Sequence, residues 1–184
     1  MNEIEDPAGA ILAERARALA RPALTALTGA ELTVVEFSIR DETFRIGASF
    51  VREVVRLLHL ANVPDAPPAV RAVTTYRGEI LALLDLRAVF GRPDGGLADL
   101  LWVVVIGNAA AEFGVLADSV TSVTRIHVDD LRPLSEDASP VARRLALAVT
   151  ADAALMLDGA AMLADAELFT VSALRVQARK GSVL

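Results

Sequence analysis

With 184 residues, 54% of them hydrophobic, the chain has room for one domain or two very small ones and enough apolar mass for a core, which excludes a disordered chain. The net charge of −6 argues against a nucleic-acid binder, because phosphate contacts need a basic surface, and leaves protein partners open. The absence of cysteine excludes disulfides, a thiol nucleophile and thiolate-bound metal, and no apolar run approaches the roughly 20 residues that span a bilayer. The acidic start at residues 1–6 lacks a basic region leading into an apolar one, so the expectation is a soluble cytoplasmic protein, not inserted in a membrane.

Residues 8–21 form a helix candidate: Ala8, Ile11, Leu12, Leu19 and Ala20 fall near helical spacing, with Glu14, Arg17 and Arg21 opposite and Pro22 as the stop. Such a helix either packs on the domain or docks on a partner. Thr28-Gly29 reads as a linker. From Glu31 the pattern alternates. Val35, Phe37 and Ile39 point one way and Val34, Glu36, Ser38 and Arg40 the other, which predicts a strand. A turn at Asp41-Glu42 leads into a second strand with Phe44 and Ile46 inward. Residues 50–57 predict a third strand, bulged because Val54 and Val55 are both apolar, with Glu53 interrupting the apolar run. The proline loop at 62–68 cannot be a central strand.

Residues 71–91 read as strand, tight turn at Arg77-Gly78, strand and short helix. Gly78 can take the positive φ that a two-residue hairpin turn requires. Asp85 stands where a carboxylate can cap residues 86–90, and Gly91 suits the left-handed residue that ends a helix. The strand 79–84 has Ile80, Ala82 and Leu84 on one face and Leu81 and Leu83 on the other. Both faces are expected to be buried, which calls for a second domain or a partner. Residues 92–96 are turn residues.

The chain then repeats. At an offset of 69, Val35 matches Val104, Phe37 matches Ile106, Phe44 matches Phe113, Ile46 matches Val115, Val51 matches Val120 and Val54 matches Val123. At an offset of 73, residues 80–84 match 153–157, and Asp85 matches Asp158. These matches predict two similar five-stranded units, 31–95 and 98–170, within one domain at 31–170, preceded by a helical extension at 1–30 and followed by a tail at 171–184.

Chemistry-bearing motifs are scarce. His59 lies among leucines and reads as structural, and His127, Asp129 and Asp130 read as a solvated loop rather than a metal site. No nucleophile elbow, zinc-protease helix or phosphate loop is present, so no enzymatic activity and no cofactor are expected. The equivalent places of Asp85 and Asp158 favour capping over catalysis. Arg77 is a charge at a hairpin tip between apolar strands. It is either a solvated turn residue or one half of a directional ion pair, and Glu53 is the candidate partner.

The Arg77-Gly78 turn with Asp85-Leu86-Arg87, and the Val51-x-Glu53-Val54-Val55 strand followed by a loop ending in Pro67-Pro68, resemble the CheW-like domain family over about residues 31–169. The resemblance implies a mainly β fold of two tandem five-stranded SH3-like barrels with short helices, here with an extra N-terminal helix. It implies a non-catalytic adaptor that bridges the cytoplasmic hairpin tip of a chemoreceptor and the regulatory domain of the histidine kinase CheA, in the cytoplasm at the inner face of the membrane. The receptor is expected between the barrels and the kinase at the barrel ends. A third-strand Glu pairs with the Arg of the Arg-Gly turn in the family, positions that Glu53 and Arg77 occupy here. The partner-binding residues it implies are Val51, Glu53, Val54, Arg77, Gly78, Leu86 and Arg87. Thr74-Thr75-Tyr76 stands where the family often has an Asn, and Ala82 where it often has Pro. These departures keep open a CheW-like scaffold that serves a different output or occupies array positions without kinase coupling.

Overall fold

A computed structural model of the chain describes residues 29–92 and 101–169. The predicted helix at 8–21 and the predicted tail at 171–184 lie outside the described residues. Ten strands carry the fold: β1 (Glu31–Ile39), β2 (Glu42–Gly47), β3 (Val51–Arg56), β4 (Val70–Tyr76), β5 (Glu79–Leu84), β6 (Trp102–Ile106), β7 (Phe113–Ala117), β8 (Ser119–His127), β9 (Ala146–Val149) and β10 (Leu155–Leu157). Among the described residues three short α-helices accompany them: α1 (Leu86–Val89), α2 (Pro140–Leu145) and α3 (Gly159–Ala164). No helix among the described residues is long and apolar enough to cross a membrane.

The strands form two five-stranded sheets, ordered β8-β1-β2-β10-β9 and β3-β6-β7-β5-β4. Replacing each strand by the one five places away in the chain turns the first order into the second. The registers agree to the residue. Phe37 faces Phe44 across β1–β2 as Ile106 faces Phe113 across β6–β7. Leu155 faces Phe44 across the parallel pair β10–β2, and Ala82 faces Phe113 across the parallel pair β5–β7. Even the irregularities recur. The β3–β6 ladder skips Arg52, so the bulge expected from the apolar pair Val54-Val55 lies two residues earlier, and the β1–β8 ladder skips Thr121, 69 positions on.

The sheets divide the chain differently from the two sequence units. The expectation gave each unit its own barrel, whereas each sheet takes two strands from one unit and three from the other. The physical reason lies in the crossing after β2, where a single turn of 3-10 helix at Ala48–Phe50 redirects the chain before β3. The β1–β2 hairpin presents apolar residues on both faces, Val34 and Val35 alike being buried, so it needs cover on both sides.

One core joins the sheets. Phe37, Ile39, Phe44 and Ile46 of the first pack in the same buried cluster as Leu84, Ile106, Phe113 and Val115 of the second. Phe44 stacks between Phe37, at 5.7 Å, and Phe90, at 6.1 Å. A smaller cluster of Val34, Ala148 and Met156 fills the other face of the first sheet. Strand β5 is buried on both faces only from Leu81 onward. Ile80, expected inside, is 80% exposed, because it lies two residues past the hairpin turn, before the ladder with β7 begins at Ala82.

Candidate functional site

The β4–β5 hairpin fixes the site. Arg77 and Gly78 have φ values of 52° and 87°, the left-handed pair that a tight two-residue turn requires. The turn sets Tyr76 opposite Glu79 and aims the side chains of Tyr76 and Arg77 at Glu53 of β3. The Tyr76 hydroxyl donates to Glu53 Oε2 at 2.6 Å, and Arg77 Nη2 donates to the same oxygen at 2.9 Å. The Arg77 guanidinium also lies 5.3 Å from the Tyr76 ring centroid. Strands β3 and β4 are the two outer strands of their sheet, so this cluster ties the edges by side chains where no backbone ladder joins them.

The electrostatics follow from the two donors. The Tyr76 hydroxyl, and after it Arg77, hold the Glu53 carboxyl below its ordinary value. Its hydrogen bond to Glu53 pushes the Tyr76 hydroxyl up, and the same carboxylate raises Arg77. The pair remains open to solvent: the Arg77 side chain is 74% exposed and that of Glu53 40%. Nε and Nη1 of Arg77 make no hydrogen bond among the described residues, which leaves guanidinium donors facing outward.

The other expected partner contacts divide. Gly78 is exposed at the turn beside Ile80, and Val51 and Val54 are half-buried against the main core. Leu86 and Arg87 are both buried in the single chain. Their part is structural. Asp85 Oδ1 accepts the Arg87 backbone N–H at 2.9 Å, which caps α1, and the Arg87 guanidinium folds back onto the same carboxylate, with Nη2 2.7 Å from Oδ2 and Nε 2.9 Å from Oδ1. A charge inside the first turn of a helix reads from sequence as a surface charge, and this local fold-back is what buries it. Asp158 caps α3 in the same way, accepting the Ala161 N–H at 2.9 Å.

Two features escaped sequence reading. Tyr76 is the closer of Glu53's two partners, and a tyrosine immediately before the Arg-Gly turn was the available signal. The second is a charge cluster on the other sheet. Arg45 Nε donates to Glu36 at 2.8 Å, and its Nη1 donates to Asp152 at 2.8 Å. Asp152 is held down to about 2 by Arg45 first and by the Thr150 hydroxyl next. Glu36 and Arg45 face each other across β1–β2, which the hairpin register implied, whereas Asp152 is 107 positions from Arg45. His59 has an exposed side chain, and its backbone carbonyl accepts the Thr74 hydroxyl at 2.7 Å. His127 lies 3.8 Å from Glu31 at the surface. No group of three potential metal ligands occurs among the described residues.

Comparison with known proteins follows the same lines. The family model for the CheW-like domain matches residues 33–167. Protein FrzA of Myxococcus xanthus is 34% identical over 99 residues, covering 53% of this chain and 61% of that protein. The chemotaxis protein CheW of Helicobacter pylori is 30% identical over 109 residues, covering 59% and 66%. The match thus spans less than two thirds of either relative's length. The crystal structure of the scaffolding protein TtCheW from Thermoanaerobacter tengcongensis superposes with a TM-score of 0.58, at 20% identity, over 70% of this chain and 88% of that one, a likeness of fold.

Proposed function

This chain belongs to the CheW-like domain family, and from that premise we propose that it is an adaptor coupling chemoreceptors to the histidine kinase CheA. Members of the family are non-catalytic scaffolds of chemotaxis. In the proposed reading the chain works in the cytoplasm at the inner face of the membrane, and its partners are the receptor's hairpin tip and the kinase's regulatory domain.

The observation that carries the reading is the Glu53–Tyr76–Arg77 cluster. A coupling protein needs a charge that is exposed yet held in one direction. Glu53 and the Tyr76 ring restrain Arg77, so less side-chain entropy is lost when a partner carboxylate docks on it. Ile80, exposed beside it, supplies apolar area next to the charge.

The test is to titrate the full chain and its Arg77→Glu variant against a chemoreceptor cytoplasmic fragment and the CheA regulatory domain of the same cell. Charge reversal is expected to weaken binding to at least one of them about tenfold or more, with an unchanged circular-dichroism spectrum. A variant that binds both as tightly as the parent contradicts the site. The second reading, a scaffold for a different output, draws on the Tyr76 bond to Glu53, which alters the setting of Arg77. Binding to a receptor fragment without binding to the kinase selects it.

A further inference from the structure

We propose that Tyr76 is a positioning residue of the contact site: its hydroxyl occupies Glu53 and so keeps the Arg77 guanidinium open for a carboxylate on the partner. The inference rests on the reading of Arg77 as a contact residue and adds the device that keeps it available.

The chain supplies its own comparison. Arg87 and Asp85 form a closed fork, with Nε 2.9 Å from Oδ1 and Nη2 2.7 Å from Oδ2. Arg45 uses both edges of its guanidinium, Nε and Nη2 on Glu36 and Nη1 and Nη2 on Asp152. Two N–H donors on one carboxylate are a frequent outcome when the two groups meet, because the planar fork matches the spacing of the oxygens. Arg77 meets Glu53 differently. Among the described residues Nη2 alone donates, and it donates to Oε2, the oxygen that also accepts the Tyr76 hydroxyl. Oε1 accepts no hydrogen bond among the described residues.

The difference between the two donors explains the single bond. Tyr76 stands on β4 with its ring packed against the main core, whereas the Arg77 side chain is 74% exposed at the turn. The hydroxyl bond is also the shorter, 2.6 Å against 2.9 Å, a length usual for an O–H on a charged oxygen. The hydroxyl comes before Arg77 among the causes of the lowered Glu53 value. The anchored donor therefore sets the carboxylate, and the guanidinium adapts to it with one N–H, leaving Nε and Nη1 toward solvent. Without the hydroxyl, Glu53 regains the missing donor by taking a second N–H of Arg77. That closes the fork as in Arg87, occupies a whole edge of the guanidinium and sets a local competitor against the partner's carboxylate.

The test is Tyr76→Phe in the full chain, which keeps the ring beside the guanidinium and removes only the hydroxyl. NMR follows rotation about the Nε–Cζ bonds of Arg77 and Arg87, which a two-bond grip slows. In the parent, Arg77 is expected to rotate fast and Arg87 slowly. In the variant, Arg77 slows toward Arg87, while Arg87 itself is unchanged and reports an intact fold. Adding Glu53→Gln to the variant removes the charge that closes the fork and is expected to restore fast rotation. In titrations against the chemoreceptor cytoplasmic fragment and the CheA regulatory domain, Tyr76→Phe is expected to weaken the binding that Arg77→Glu weakens, by about fivefold. Rotation of Arg77 that is the same in parent and variant overturns the proposal, and so does slowed rotation with undiminished affinity. If the parent binds neither partner, the adaptor reading falls, and the rotation of Arg77 by itself upholds or overturns the hold of Tyr76 on the fork.

Discussion

Asp152 shows how far a single carboxylate can be shifted while contributing little to stability. Arg45 is the main cause of its lowered value of about 2, and the Arg45 side chain is only 11% exposed, but that of Asp152 is 60% exposed and is screened by water. The expected loss for Asp152→Asn is within about 1 kcal/mol. The sign follows from linkage. A carboxylate depressed in the folded state stabilises above its unfolded value of 3.8 and loses that contribution as pH falls toward about 2. Urea unfolding of parent and variant is expected to differ above pH 3.8 and to converge toward pH 2. A gap that persists at the acid end contradicts the pairing. Asp85 is the opposite case. Both it and Arg87 are buried, with side chains 2.7 Å apart, so Asp85→Ala removes a cap and a buried charge partner together. The expected cost is about 3–5 kcal/mol in the same assay, and a cost below about 1 kcal/mol contradicts it. Sequence showed Asp85 as a cap correctly. The fold-back of the Arg87 side chain onto the carboxylate two positions before it was not legible, because nothing in the residue type reveals it.

At the scale of elements, the repeat is the legible signal, and its exceptions are informative. The Arg77-Gly78 turn and the paired caps at Asp85 and Asp158 were readable, because each depends on neighbours within a few residues. The Arg45–Asp152 contact was not, since it joins a hairpin to a loop of the other half. Arg45 and Gly114 occupy equivalent places 69 apart. Arg45 faces charge, whereas a Cβ on Gly114 would lie 2.4 Å from Val103 Cγ1 and 2.9 Å from Leu83 Cδ2. The two sheets thus share a backbone and differ in what fills them, one closed by a charge cluster and the other by aliphatic side chains. Gly114→Ala is expected to lower stability by about 1–3 kcal/mol through overpacking, measured by thermal or urea unfolding. A neutral or stabilising substitution there would mean that the core around Val103 and Leu83 has slack.

For the whole molecule, local patterning predicted two five-stranded assemblies and could not say which strands meet. Alternation fixes the faces of a strand, but its neighbour is chosen by long-range packing, and β3 and β8 share valines at equivalent places, Val51 with Val120 and Val54 with Val123. The interlocked result makes one body of the two halves and holds the Arg77 hairpin rigidly at an edge of the second sheet. The central claim, an adaptor between receptor and kinase, is tested most directly by co-sedimenting the full chain with membranes bearing a chemoreceptor and with the CheA of the same cell, while kinase phosphorylation is followed. The account expects the chain in the pellet with both partners and a receptor-dependent rise in phosphorylation that Arg77→Glu diminishes. A chain that stays in the supernatant and leaves phosphorylation at the level of receptor and kinase alone contradicts it.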